Sequence, residues 1–336
     1  MSEKFVECVP NFSEGRDASV IAAIADAIAD VPGISLLLTE AGVDANRTVM
    51  TFTGAPDAVA EAAFRGIAVA ADRIDMRNQH GIHPRIGAAD VCPFVPLRGA
   101  TMADCVAISR AVGKRVGVEL GIPVFLYEFS ATRPERRLLA NIRAGQYENL
   151  TQKLADPRWQ PDFGPAMFNP KSGATVIGAR DLLIAFNINL DTPDRTVAAK
   201  IAAELRESGA LVRDPASGEH IRKPGIFKHL RALGWYVAAY GKSQITMNFT
   251  NFRETPPHIV FEKARELAAA HGATVTGCEV IGMVPDEWIV SAGKFYREKQ
   301  GKSPDAAIET LIETAVAAMN LGEVAPFDPQ RKILWL

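Results

Sequence analysis

The sequence predicts an α+β protein of two packed ferredoxin-like (βαββαβ) subdomains with additional helices. Three observations predict it. Short runs of apolar residues alternating at period two are separated by runs with apolar residues at helical spacing. The order strand, helix, strand, strand, helix, strand occurs twice, and this is the split βαβ arrangement. The 336 residues are too many for one compact core, yet no low-complexity or linker stretch divides them. Two packed halves are therefore expected, residues 1–178 and 179–336. The repeat is topological, without residue-level similarity between the halves.

The first half opens with a strand at 5–10. Asn11 to Glu14 read as a turn, with Ser13 or Asp17 placed to cap the next helix. That helix, 17–31, carries Val20, Ile21, Ile24, Ala27, Ile28 and Val31 at helical spacing, and Pro32-Gly33 ends it. A strand at 34–41, a turn at 42–45 and a strand at 47–53 follow. The second helix, 56–75, has Pro56 in its first turn. Asp90 to Leu97 is the last strand of the repeat. Beyond it come an apolar-faced helix at 101–120, a strand from Val124 to Tyr127, and an Arg- and Gln-rich segment, 134–154, expected to be helical. Residues 156–173 are dense in Pro, Gly, Trp and Phe and lack periodicity, which marks a long structured loop of the kind that often carries function.

The second half repeats the plan. Leu182 to Leu190 is a strand, and 193–208 a helix with Thr192 as its N-cap. Residues 228–240 and 243–251 form a hairpin closed near Gly241-Lys242. A helix at 257–271 and a strand at 274–284 complete the repeat; 285–319 is mainly helical and 320–336 an irregular tail. Right-handed crossovers put the helices of each half on one sheet face, leaving the other to pack or to hold ligand.

Composition narrows the function. Apolar (48%) and charged (23%) fractions are those of a soluble globular protein. A net charge of −2 lacks the basic excess of a nucleic-acid binder. No signal-like opening or membrane-spanning run is present, so no membrane association and a cytoplasmic location are expected. Cys8, Cys92, Cys105 and Cys278 are widely scattered, and the strand-like contexts of Cys8, Cys92 and Cys278 suit buried free thiols in a reducing cytosol.

Residues 80–96 carry the densest chemistry: His80, His83, Arg85 and Asp90 in a stretch broken by Gly81, Pro84 and Gly87. Gly and Pro disfavour a helix, so this is a loop running into a buried strand. Pro84 holds His83 extended. A loop histidine beside an arginine, on a rigid strand, suits proton transfer on an anionic substrate; an ordinary surface histidine is the alternative. His80, His83 and Cys92 raise zinc binding, but no Cys-x-x-Cys or second histidine pair completes a site, so no metal is expected. An extended segment points Arg85 opposite to His83. Asn46-Arg47 opens a strand after a turn, where a plain surface arginine is common. Glu40 ends the preceding strand, and a carboxylate near His83 could orient the ring or stabilise a cation. Asn187 and Asn189 share one face of an apolar strand and need partners; a polar ligand wall and a satisfied domain interface both supply them, and Asn248 and Asn251 pose the same question. The 162–173 loop is neither a P-loop nor a dinucleotide fingerprint. It suits either a flat heteroaromatic ligand or a packed cover over the domain interface.

Several of these stretches are familiar as a set: Val6-Glu7-Cys8-Val9-Pro10-Asn11-Phe12-Ser13-Glu14-Gly15, Asn46-Arg47-Thr48-Val49, Gly81-Ile82-His83-Pro84-Arg85-Ile86-Gly87 and Asp90-Val91-Cys92-Pro93-Phe94. Trp159 to Gly164, Gly173-Ala174-Thr175-Val176, Gly178-Ala179-Arg180 and Ala185 to Leu190 continue the set. In this order they resemble the glutamate formiminotransferase family, closely over the first 190 residues or so and more loosely beyond. The resemblance implies transfer of a formimino group from N-formiminoglutamate to tetrahydrofolate, giving glutamate and 5-formiminotetrahydrofolate in histidine degradation. It implies a catalytic histidine at His83 and a folate-binding loop at Gly164, Pro165, Ala166, Met167, Phe168, Asn169, Pro170, Lys171, Ser172 and Gly173. It further implies a homodimer, ligands held in a groove between two subdomains, tetrahydrofolate as co-substrate and no metal. The chain ends without a cyclodeaminase segment, so a stand-alone form is expected, coupled to a separate formiminotetrahydrofolate cyclodeaminase. Two departures stand out: Glu40 where an Asp is expected, and Lys171-Ser172 inside the folate loop.

On this reading His83 takes a proton from N5 of the folate and returns one to the departing glutamate nitrogen. Glu40 would stabilise the amidinium, and Arg47, Arg85 and Arg180 are the candidates to hold substrate carboxylates. The alternatives are a 5-formyltetrahydrofolate-processing enzyme using the same site, and a non-catalytic folate-binding or scaffold protein. An RNA-binding role fails for want of the aromatic sheet motif.

Overall fold

Each stretch of alternating apolar residues pairs with strands from its own half of the chain. The computed structural model describes residues 3–214 and 217–336, which divide into two units, Met1–Asp181 and Leu182–Leu336.

The first unit is built from β1 (Val6–Cys8), β2 (Asn11–Phe12), α1 (Ala18–Ala29), β3 (Ile34–Gly42), β4 (Arg47–Gly54), α2 (Pro56–Arg73), β5 (Ala89–Pro96), α3 (Met102–Glu119) and β6 (Val124–Glu128). The short α4 (Leu139–Arg143) and α5 (Leu150–Ala155) and the strand β7 (Thr175–Ala179) complete it. β1 and β2 are two pieces of one line between β4 and β5, antiparallel to both, and β3 flanks β4. β7 and then β6 extend the sheet in parallel beyond β5. Val6, Cys8, Phe12, Met50, Phe52, Cys92 and Phe94 share one core with residues of α1, α2 and α3. Side chains alternate across a strand, so Glu7 and Asn11 lie on the other face. Register then fixes a row across that face, Glu40–Val49–Asn11–Val91.

Local chemistry accounts for the helix ends. Asp17 accepts hydrogen bonds from the Ser19 and Val20 amides and starts α1. Thr101 and Asp104 form a reciprocal capping box on α3. The segment 134–154 is not one helix. Gly145 (φ 85°) and Gln146 (φ 55°) turn left-handed between α4 and α5 and break it. What anchors this segment is the buried Arg136, 2.7 Å from Asp162. The expected turn at 11–14 also differs, since Asn11–Phe12 continue the sheet as β2. The boundary between the units falls after Asp181, because β7 belongs to the first sheet.

The second unit contains β8 (Ile184–Leu190), α6 (Arg195–Leu205), β9 (Ala210–Arg213), β10 (His220–Lys223), β11 (Leu230–Val237), β12 (Lys242–Phe249), α7 (Pro257–Ala270) and β13 (Val275–Ile281). It continues with β14 (Val284–Pro285), α8 (Asp286–Lys299), α9 (Ile308–Met319), α10 (Pro329–Lys332) and β15 (Ile333–Leu334). Its main sheet runs β11–β12–β8–β13, all antiparallel. Ile184, Phe186, Ile188 and Leu190 face α6, α7, α8 and α9 in one core. Asp194, not Thr192, caps α6 by accepting the Thr196 amide at 2.8 Å; Thr192 instead accepts the Asp194 amide. The tail is not wholly irregular, for β15 pairs in parallel with β14 and buries Ile333.

On the other face of this sheet the amides satisfy one another. Trp235 Nε1 donates to Gln244 Oε1 (2.8 Å), and Gln244 Nε2 donates to Asn189 Oδ1 (2.9 Å) and Glu279 Oε2 (3.0 Å). Asn187 donates to Glu279 and Asn189 to Glu323. Asn187 and Asn189 thus find their partners inside the second unit, whereas Asn248 is exposed and Asn251 accepts the Glu254 amide in a turn.

All four cysteines are buried and free, with the Cys8 and Cys92 sulfurs 3.5 Å apart. Among the described residues no helix is long and apolar enough to cross a membrane.

Candidate active site

The histidine loop is built against the turn between β3 and β4. Asn46 sits in the left-handed region (φ 47°), an uncommon conformation that Asn tolerates. Its Oδ1 accepts the Gly15 amide at 3.0 Å, and its Nδ2 donates to Gln79. Gln79 in turn donates to the buried Glu14 at 2.9 Å. The Ile82 amide donates to Asp44 O, and Gly81 lies so close to Ala45 that a Cβ would stand 2.2 Å from its carbonyl oxygen. Three separated motifs, 11–15, 46–49 and 79–87, are thereby fixed to one another.

His83 emerges half-buried from this frame. Its Nδ1 lies 2.8 Å from Pro84 O. A carbonyl only accepts, so in the neutral ring Nδ1 carries the proton and Nε2 the lone pair. Burial first, then the positive charges of Arg47 and Arg143, hold its pKa well below the ordinary 6.5. The ring is therefore neutral at pH 7, the form a general base needs.

Those two guanidiniums converge on Asp90, which is fully buried. Arg47 Nη1 is 2.6 Å from Asp90 Oδ2, Arg143 binds the same oxygen, and the Ile86 amide donates to Oδ1 at 2.9 Å. Arg47 Nε also donates to Asn11 Oδ1 at 2.9 Å. Burial alone would raise the Asp90 carboxyl; Arg143 and Arg47 outweigh it and hold it at about 2. The sequence motifs assign no role to Asp90 or to Arg143. Asp90 lies inside the histidine run, whereas Arg143 lies in the 134–154 segment expected to be helical.

The expected arginines differ in their commitments. Arg47 is only 7% exposed, so it is not a plain surface residue. The Arg85 fork is already filled: Nη1 and Nη2 meet the Glu148 carboxylate at 3.0 and 2.7 Å, and Nη2 also donates to Gln79 O. This occupancy argues against Arg85 as a holder of substrate carboxylates and makes it a clamp between the histidine loop and the 145–148 turn. Arg180, at the end of β7, donates through Nη1 to Asp181 O and forms no ion pair among the described residues. Glu40 is half-buried on β3, in the same cross-strand row as Asn11.

The 164–173 loop begins against α3 and ends against the histidine loop. At Gly164 (φ 78°) a Cβ would stand 2.3 Å from Ile122 O. Asn169 Oδ1 accepts the Lys171 and Ser172 amides, and its carbonyl accepts the Gly173 amide at 2.7 Å. Phe168 packs on Tyr147, whose hydroxyl donates to Pro170 O at 2.6 Å. Pro165 is partly exposed and Ala166 and Met167 are exposed, while Lys171 approaches Asp72 at the surface. Gly87 and Gly173 then pair as an antiparallel bridge, with Ala88 N donating to Ser172 O (2.9 Å) and Ala174 N to Ile86 O (3.0 Å). Two segments some 85 residues apart in sequence thus share a ladder at the site.

That ladder has no room for a side chain. A Cβ on Gly87 would stand 2.0 Å from Ala174 O and 2.6 Å from Ser172 O, both main-chain atoms. Gly87→Ala is expected to lose about 1–3 kcal/mol of stability, as overpacking does. A lower denaturation midpoint would register it; an unchanged midpoint would mean the two loops are not joined in this way.

Matches to known families cover both units. A family model described as "Formiminotransferase domain, N-terminal subdomain" matches residues 5–180, and one described as "Formiminotransferase domain" matches 185–335. The chain belongs to the formiminotransferase family. Over 333 residues it is 44% identical to a Dictyostelium discoideum protein named formimidoyltransferase-cyclodeaminase, covering 98% of this chain and 60% of that one. Over 312 residues it is 42% identical to the glutamate formimidoyltransferase of Thermoplasma acidophilum, covering 92% and 98% of the two chains. Over 293 residues it is 41% identical to the glutamate formimidoyltransferase of Streptococcus pyogenes serotype M1, covering 87% and 93%. This formiminotransferase chain therefore spans about 60% of the length of the first of these relatives and nearly the whole of the other two. Among its described residues, no three His, Cys, Asp or Glu side chains are gathered as metal ligands would be.

Proposed function

We propose that this chain is a one-carbon transferase that moves the formimino group from N-formiminoglutamate to tetrahydrofolate, releasing glutamate and 5-formiminotetrahydrofolate. The observation that carries the proposal is the joining of the His83 loop to the 164–173 loop through Gly87 and Gly173. It ties the loop that carries a neutral imidazole to one whose exposed apolar residues suit a pterin. Kinship with chains named glutamate formimidoyltransferase, matched over most of their length, supports the same reading.

The steps balance without outside reagents. N5 of tetrahydrofolate attacks the carbon of the amidinium, and a C–N bond forms to give a tetrahedral centre. His83 Nε2 takes the proton from N5. The imidazolium then gives that proton to the glutamate nitrogen, whose bond to carbon breaks. Glu40, on the same sheet face as Asn11, stabilises the amidinium charge. Arg180 is the arginine whose fork is best placed to take a substrate carboxylate, since Arg47 serves Asp90 and Arg85 serves Glu148. Much of the acceleration comes from holding two reactants in contact.

The wider expectations belong to the same proposal. The two units correspond to N- and C-terminal formiminotransferase subdomains of ferredoxin-like topology, a reading supported by the β5–β1–β4–β3 order in the first and β11–β12–β8–β13 in the second. The chain works in the cytoplasm as a homodimer within histidine degradation, and its product passes to a formiminotetrahydrofolate cyclodeaminase. The deciding experiment incubates the purified chain with both substrates and follows free glutamate. Glutamate release that requires tetrahydrofolate, mole for mole, is expected. No release, or release without folate, would overturn the proposal.

A further inference from the structure

One face of the first sheet sets Glu7 and Tyr127, two polar groups that the reaction as drawn leaves unused, near Arg180. Glu7 is 4% exposed, yet its carboxylate makes no hydrogen bond or ion pair among the described residues. Its cross-strand neighbour on β5 is Val95. On the far side of β5, Ala179 of β7 lies beside Phe94, and the Arg180 amide donates to Phe94 O at 3.0 Å. One step further along the same pairing sets Arg180 beside Val95. Glu7, Val95 and Arg180 therefore form one row, and two strand spacings put about 10 Å between the outer backbones. Tyr127 on β6 lies opposite Gly178, two residues before Arg180 and on the same face. It is 3% exposed, and its hydroxyl also makes no hydrogen bond among the described residues. The Tyr127 ring lies over Gly178, where a Cβ would stand 2.5 Å from it.

A buried carboxyl group and a guanidinium share this row without forming an ion pair. Burial pushes the Glu7 carboxyl up to about 7, against the downward pull of Arg180. Among the described residues, Arg180 is the charge that acts on it. β4 presents Thr53 and β5 presents Val95, while the Cys8 and Cys92 thiols lie on the opposite face with α1–α3. Glu128 and Arg143 act on Tyr127, not on Glu7. Below about pH 7 this face thus offers the Arg180 guanidinium, the Tyr127 hydroxyl and a protonated Glu7. All three can donate, and a set of donors on one sheet face matches a carboxylate.

We infer that Glu7, Tyr127 and Arg180 form a subsite for a substrate carboxylate, to which Glu7 donates from its protonated form. Its substrates rest on the reaction proposed above. Four residues of strand, about 13 Å, separate Glu7 from Asn11, where the His83 end of the site begins. The subsite therefore receives a remote end of a reactant rather than its reacting carbon. Both reactants carry such an end: the glutamate of the amidine donor, or the glutamyl tail of the folate. Glu7 is a positioning residue here, coupling binding to proton uptake.

The test is calorimetric binding of L-glutamate and, separately, of 5-formyltetrahydrofolate, with no turnover required. Wild-type affinity for the ligand seated in the row is expected to fall as pH rises above about 7, approaching about tenfold per pH unit. Glu7→Gln keeps a donor without a titrating proton and is expected to flatten that dependence between about pH 6 and about pH 8.5. Tyr127→Phe is expected to weaken the same ligand about tenfold at every pH. Flattening with L-glutamate supports the subsite and assigns it to the amidine donor; flattening with the folate supports it and assigns it to the tail. Binding of both ligands with no component sensitive to Glu7→Gln overturns the subsite alone. A component sensitive to Glu7→Gln in a chain that performs no transfer overturns the reaction alone, and a wild-type chain that binds neither ligand overturns both.

Discussion

His83→Ala is expected to lower turnover by at least about a hundredfold, the lower range for loss of a general acid–base group, while the folate still binds. The expectation rests on the ring's protonation state. The bond from Nδ1 to Pro84 O fixes the tautomer, and burial with Arg47 and Arg143 keeps the ring neutral at pH 7. The same setting dictates the pH profile. An ordinary histidine would begin to lose basicity near pH 6.5, whereas here the acid limb of the rate should lie well below that value. Steady-state kinetics on the variant and a wild-type pH series check both points. Normal turnover in His83→Ala, or an acid limb at the ordinary value, would remove the ring from the mechanism.

Asp90→Ala is expected to destabilise the first unit by about 3–5 kcal/mol, the range for breaking a buried ion pair by deleting one partner. The deleted carboxylate compensates two guanidiniums, and it accepts the Ile86 amide beside the histidine loop. Asp90→Asn keeps an acceptor for that amide but not the charge, so it should fall between wild type and Ala. The wild-type pH dependence follows from the depressed carboxyl. Its contribution is present above the unfolded value of 3.8 and is lost as pH falls toward about 2. Urea denaturation near neutrality and in acid reads both effects; an Asp90→Ala midpoint matching wild type would show that the cluster does not support the fold.

Much of the architecture was legible in the chain because its periodicities are long. The helices α1, α2, α3 and α7 bury one stripe each, and that stripe is a local property. Where tertiary contacts decide, the sequence misleads. The Arg- and Gln-rich 134–154 segment looks helical by propensity, yet left-handed Gly145 and Gln146 and the Arg136–Asp162 pair set its path. β14 and β15 pair over only two residues, too few to show a pattern. The exposed hairpin of β9 and β10 has no buried face to print one.

The site was legible in part for the same reason. The Gly-Ile-His-Pro-Arg stretch announces a loop with chemistry through composition alone. Which charges stand around His83 depends on long-range closure. Asn46-Arg47 reads equally well as a surface turn, and only the Asp90 carboxylate 43 residues later makes Arg47 an interior residue. Arg85 reads as an anion holder, and Glu148, 63 residues later, engages its fork. Asn187 and Asn189 asked for partners, and Gln244, Glu279 and Glu323 were too distant in sequence to be guessed.

The four buried thiols turn the molecule into its own stopwatch. Cys8, Cys92 and Cys105 lie in the first unit and Cys278 in the second, each shielded while its unit stays closed. An alkylating reagent can reach them only when the surrounding layer parts. The rate at which each site acquires mass, resolved peptide by peptide, therefore times the breathing of the two halves independently, with no engineered probe.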